Sequence, residues 1–265
     1  MSDPNIQSPH PASFAGPNSV TEPPMTTAET LSGIFFEPER TFTSLRERPR
    51  FLVAGVIIIA AITLFIILFY QRLGYENVVR QIIENSSRTA QMSPEQKEQA
   101  IAMQTKPVFQ AVYYFSPAIG LIIVFAAGAG LYLLGTMAMA KTISYRQALA
   151  VWTYSSLPPV LLMTLANIAL LFLKSLDSID PAKDSRGLVH ANPSLLVDTV
   201  AHPVLGTALG AIDLFSFYGL FLAALGLRKV TRLSSGSAWA IVLAIWFAGV
   251  LVRLGLAAAF GSGMA

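Results

Sequence analysis

The chain contains no cysteine, which removes disulfides, thiolate metal sites and cysteine nucleophiles in one step. Charge is scarce too. Asp, Glu, Lys and Arg make up 12% of the 265 residues, against 54% hydrophobic, whereas a soluble domain needs roughly 25% charged residues to cover its surface. Residues 1–29 lack any Lys or Arg, so the chain does not open on the basic start and apolar core of a secretory signal. The formal charge of +3 is spread over the edges of apolar runs, and no dense basic patch points to nucleic acid. There is no glycine-rich phosphate loop and no pair of histidines at the spacing of a helix-borne zinc site.

Long apolar runs fill the space these absences leave. Five of them, about 51–70, 114–139, 149–173, 205–227 and 238–260, approach or exceed the roughly 20 residues that carry a helix across a bilayer. The predicted fold is an all-α integral membrane protein, a bundle of five transmembrane helices with short interfacial helices. Residues 1–29, with Pro4, Pro9, Pro11, Pro17, Pro23 and Pro24, read as a disordered tail. Residues 30–260 form the membrane domain and 261–265 a C-terminal end.

The segments between the runs are amphipathic. In 30–50, Leu31, Ile34, Phe35, Phe42 and Leu45 recur at helical spacing. Arg40, Arg46, Arg48 and Arg50 occupy polar positions there, suited to lipid phosphates at the membrane surface. The alternative is that these short helices pack on the ends of the spans. In 71–107, Val78, Val79, Ile82 and Ile83 make one stripe, and Ser93-Pro94-Glu95-Gln96 has the form of a capping box opening a helix. Residues 174–204 hold four aspartates with His190 and His202. Their spacing fits no metal-ligand pattern, and a solvated loop is expected.

Within the spans a few residues stand out. Pro158 and Pro159 remove two amide donors from the third and predict a break, either a hinge or a packing kink. Gly128 and Gly130, Gly206 and Gly210, and Gly249 mark faces where backbones can approach closely. Asp213 and Arg253 are charges inside the last two runs, where charge is expensive. Counted outward from the connector 228–237, they reach nearly the same depth, which predicts an Asp213–Arg253 ion pair with either a structural or a transport role. The short connectors around Lys141–Arg146 and Arg228–Arg232 are basic without an acid, which places the N-terminus in the cytoplasm.

Three stretches together resemble the Yip (Ypt/Rab-interacting protein) membrane family, in its bacterial-type branch. The first is Ile34-Phe35-Phe36-Glu37-Pro38-Glu39-Arg40-Thr41-Phe42, followed by Arg48-Pro49-Arg50. The second is Ser144-Tyr145-Arg146-Gln147-Ala148-Leu149-Ala150-Val151, running into Tyr154-Ser155-Ser156-Leu157-Pro158. The third is Ile212-Asp213-Leu214-Phe215-Ser216 with Leu225-Gly226-Leu227 and Ala238. Lys141-Thr142 stands where that family often has a glycine pair, and Phe217-Tyr218 where a tryptophan is expected. The resemblance implies five spans and a cytoplasmic N-terminus in a bacterial cytoplasmic membrane, and it carries over no catalytic residue.

No enzyme is expected. Asp213 is the one aspartate within a span, too few for an intramembrane aspartyl protease, and no span pairs a serine with a histidine. No cofactor and no metal are implied. The leading expectation is a noncatalytic scaffold or adaptor whose partners are the lipid bilayer and other membrane proteins or further copies of itself. The alternative is a small-solute or ion transporter built on Asp213, Arg253, Asn167 and the proline pair.

Overall fold

The structure, a computed structural model, describes residues 25–85, 89–184, 187–199 and 201–260. Among these residues every regular element is helical, and five helices are long and apolar enough to cross a membrane. They are α3 (Leu52–Leu73), α6 (Pro107–Ala138), α7 (Tyr145–Leu173), α10 (Leu214–Thr231) and α11 (Ser235–Phe260). At most 39% of the apolar window of any of these spans is buried inside the protein. Helices apolar all round need a second apolar environment, and the bilayer supplies it. The chain is a multi-pass membrane protein.

The central helix is α7, which packs against α3, α6 and α10, while α11 lies outside α10 and touches α6. One end of the bundle is capped by α1 (Thr27–Phe36) and α2 (Pro38–Glu47). The other, the loop end, is capped by α4 (Tyr75–Asn85), α5 (Pro94–Gln104), α8 (Pro181–Asp184) and α9 (Pro203–Gly210).

Local chemistry sets the helix ends. Thr26 opens α1 with a capping box to Glu29, Ser93 opens α5 with one to Gln96, and Ser144 opens α7 with one to Gln147. Each satisfies amides that a first turn leaves without partners. Gly74, at φ 81°, ends α3 in a conformation that other residues adopt only under strain. The expected tail falls largely on residues 1–24, outside the described residues. Met25 is already buried and α1 starts at Thr27, so the fold begins ahead of residue 30.

Three expectations need correction. The fourth span is not one helix: α9 ends at Gly210 and α10 starts at Leu214. The expected break at Pro158 and Pro159 is absent, because α7 runs through both as a single helix. Ser155 O, the acceptor that the Pro159 ring leaves without its amide, faces Gly219 of α10 at 3.8 Å from where a Cβ would sit. The helix stays continuous there, with α10 in ordinary van der Waals contact. The region 174–204 is solvated only in part: Asp177, His190, Asp198 and His202 are exposed, as expected, but the segment also packs on the spans. It buries Ile179 and Leu188 against Phe65, Phe69, Tyr70 and Leu171.

Candidate interaction site

The α1–α2 hairpin lies on the bundle rather than floating beside it. Ile34, Phe42 and Leu45 are fully buried and share one core with Val151, Tyr154, Leu227 and Val230 of the spans. The hydroxyls of Thr30 and Tyr154 form a buried hydrogen bond of 3.1 Å. Gly226 of α10 lies directly under α2: a Cβ there would meet Phe42 at 2.8 Å and Val151 at 2.9 Å. Only glycine lets the two helices come this close.

Ionic contacts tie down the hairpin's polar side. Glu39 accepts from Arg228 Nη2 and from Lys229 Nζ, each at 2.6 Å. The hydrogen bond from Lys229, reinforced by both cationic charges, holds the Glu39 carboxyl below the usual carboxylate range. Arg50 Nη1 donates to Met25 O at 3.1 Å and Thr27 Oγ1 at 3.3 Å, fixing the segment that leads into α1. Gln147 has two roles. Its Oε1 accepts from Ser144 N at 2.8 Å, and its Nε2 donates to Arg46 O at 2.7 Å, so one side chain caps α7 and stops α2.

Of the arginines expected at lipid, Arg40 pairs with Glu37 at 3.1 Å, Arg46 lies 4.0 Å from Glu47, and Arg50 is engaged inside the protein. The Arg48 side chain forms no hydrogen bond or ion pair among the described residues, while its amide donates to Ser44 O and ends α2. On its outer side the hairpin presents Phe36, 85% exposed at the corner between α1 and α2.

The loop end holds the intramembrane polar residues. Asp213 is 8% exposed and caps α10, its Oδ1 accepting from Ser216 N at 2.9 Å. Leu214 N donates to Ala191 O at 3.3 Å, so the loop covers the interruption. Arg253 is exposed on α11. It lies 18 residues beyond Ser235, roughly 27 Å along the helix axis, near the far edge of the hydrocarbon, where a long side chain can reach water. Among the described residues no ion pair joins Asp213 to Arg253. The premise of two charges stranded at mid-membrane fails, because one is a helix cap and the other is peripheral.

Asn167, 4% exposed, accepts from the amides of Leu188 at 2.6 Å and Val189 at 2.8 Å. It anchors the loop to α7. Of the glycines, Gly128 packs under Trp152, whose ring would be 2.3 Å from a Cβ, and Gly206 packs against Thr199, which a Cβ would meet at 2.8 Å. At Gly130, Gly210 and Gly249 an added Cβ would meet nothing within 4 Å beyond the local helix. Sequence reasoning missed the roles of Gly226 and Glu39, named there only within the resemblance, and it missed Gly135, where a Cβ would meet Ile241 at 2.5 Å. Glu39 and Arg228 are 189 positions apart, and no periodicity connects them.

Parts of all three stretches that carry the family resemblance meet at the α1–α2 end, while residues 212–216 of the third lie at the loop end. Glu39 and Phe42 come from the first, Gln147 and Val151 from the second, and Gly226 from the third, with Arg228 just beyond it. The Yip1 domain model matches residues 32–256, from within α1 to within α11, and so contains this whole junction. The chain belongs to the Yip1 domain family. No curated protein and no solved structure matches it. In Yip1-domain terms the docked hairpin is part of the domain, since the match takes in all of α2 and the second half of α1.

Proposed function

We propose that this Yip1-domain protein is a noncatalytic scaffold of a bacterial cytoplasmic membrane that presents the α1–α2 hairpin, on the cytoplasmic side, to other membrane proteins or to further copies of itself. One observation carries the reading: the hairpin is rigidly docked and still shows Phe36, 85% exposed, at its corner. A pre-positioned aromatic anchor lowers the ordering cost of association. The orientation rests on the short basic connectors at this end, carrying Lys141, Arg146, Arg228, Lys229 and Arg232. Two buried polar groups at the loop end are committed to structure: Asp213 caps a helix and Asn167 holds a loop.

Two measurements test the proposal. A photo-crosslinking residue at Phe36 in intact cells is expected to trap one discrete membrane protein or a second copy. The same residue at Ser32, one turn back on α1, is expected to trap it less. Equal, diffuse labelling at both positions would remove the reading. In proteoliposomes the protein is expected to give no solute or ion flux. A flux abolished by Asp213→Asn, which keeps a competent helix cap, would establish the transporter alternative instead.

A further inference from the structure

A groove of ≈ 260 Å³ opens at the α1–α2 end between α2, α10 and α11. Phe221, Ala224 and Leu225 of α10 and Trp239 of α11 form its apolar wall. Pro38, Glu39, Arg228 and Ser235 form its mouth. Its polarity therefore changes along its length. Phe221 lies about 10 Å along α10 from Arg228, towards the bilayer interior, and is 50% exposed. Arg228 stands where the span ends. Trp239 lies one turn into α11, at the depth where tryptophan favours the interface, and its indole forms no hydrogen bond among the described residues.

The mouth is electrostatically unbalanced. The single carboxylate of Glu39 is shared by two cations, Arg228 and Lys229, at 2.6 Å each, so the cluster keeps one net positive charge. The Arg228 side chain is 37% exposed and retains donors beyond the one engaged with Glu39. Ser235 sits in the first turn of α11, whose amides and dipole add partial positive charge on the same side. The groove is also smaller than the roughly 300 Å³ at which sites for whole small molecules begin. It suits part of a larger molecule whose remainder lies elsewhere.

We propose that this groove binds the headgroup end of an anionic glycerophospholipid. Its phosphate sits at Arg228 and Ser235, and one acyl chain leaves along Leu225, Trp239 and Phe221 into the bilayer. Charge complementarity selects the phosphate, and the apolar wall running into the membrane selects a lipid over free phosphate. A bound lipid would fill the space between the hairpin and α11.

Native mass spectrometry tests the assignment on the full chain, released from detergent with equimolar phosphatidylglycerol and phosphatidylcholine. One phosphatidylglycerol is expected to be retained, in at least fivefold preference to phosphatidylcholine. Ser235→Glu places a carboxylate at the mouth while favouring the start of α11. It is expected to leave thermal stability unchanged or raised and to lower retention at least fivefold. Arg253→Gln, a cation removed at the opposite end, is expected to retain the lipid. Competing glycerol phosphate, which lacks acyl chains, is expected to displace little. Equal retention of the two lipids, retention unaffected by Ser235→Glu, loss with Arg253→Gln instead, or full displacement by glycerol phosphate would each overturn the proposal.

Discussion

The two ends of the bundle are built on different principles. At the α1–α2 end, elements distant in sequence are fused into the main core: Ile34, Phe42 and Leu45 pack on Val151 and Leu227, and Glu39 reaches across to Arg228 and Lys229. At the loop end, smaller clusters serve instead. Val79, Ile83 and Ile101 form one of them, between α4 and α5 alone. Polar anchoring there falls to single side chains such as Asn167, Asp213 and Arg80, whose guanidinium meets Glu98 at 2.6 Å and Glu76 at 3.5 Å. The fused end transmits any disturbance through the core, whereas the loop end can loosen piece by piece.

The strongest way to break this contrast is to force the fused end apart. Gly226→Leu drives a branched side chain into Phe42 and Val151, both fully buried. Overpacking of a tight core costs about 1–3 kcal/mol, occasionally more, and this site belongs at the upper end because neighbours on α2 and α7 are both obstructed. The thermal midpoint of the detergent-solubilised protein is expected to fall by several degrees, with α2 losing hydrogen-exchange protection. Gly210→Ala, at the loop end where the added Cβ would meet nothing within 4 Å, is the matched control and is expected to leave the midpoint where it is. Equal loss in both variants would show that the two ends do not differ.

Next in size is the anchor of the loop end. Asn167→Leu keeps the volume and removes the acceptor for Leu188 N and Val189 N. A buried donor left without a partner costs about 1–3 kcal/mol, and Leu188 is 3% exposed. Hydrogen exchange is expected to rise in 187–191 and at the start of α10, where Ala191 O meets Leu214 N, while α1 and α2 remain protected. Loss of protection in the hairpin as well would mean that the ends are coupled through α7.

The same contrast explains what was legible in the sequence. Five spans followed from hydropathy alone, and the Ser93–Gln96 box is present as read, because its whole signal lies within four residues. The interruption of the fourth span was hidden because residues 205–227 are apolar almost throughout. Asp213 read as a charge inside a helix, although an aspartate followed at i+3 by an accessible amide is also a helix start. Asn167 entered only the transporter alternative, because its partners, Leu188 and Val189, lie in a loop more than 20 positions away. The arginines of 30–50 pointed to lipid because Met25 and Thr27, which engage Arg50, lie more than 20 positions away, although Glu37 stands at i–3 of Arg40. The fused end depended on long-range contacts, and those leave no local trace.

The smallest expected effect isolates the ionic part of the fused end from its packing. Glu39 has a lowered pKa in the folded protein, because Lys229 donates to it and both Lys229 and Arg228 favour its charged form. A depressed carboxylate contributes stability that is present above its unfolded pKa, about 4.3. That stability is lost as pH falls below this value through the folded pKa. At pH 7, Glu39→Gln is therefore expected to exchange α2 amides faster than the wild type, by a margin that shrinks in high salt because the pair is exposed and screened. As pH drops below about 4.3 the wild type should approach the variant, since protonated Glu39 is nearly isosteric with glutamine. The packing of Ile34, Phe42 and Leu45 carries no titratable group, so the hairpin stays docked in both proteins at low pH. A difference that persists at pH 3 would assign the effect to the shape of the side chain rather than its charge. Undocking of α1 and α2 at that pH would make the ion cluster, and not the buried core, the principal bond between hairpin and bundle.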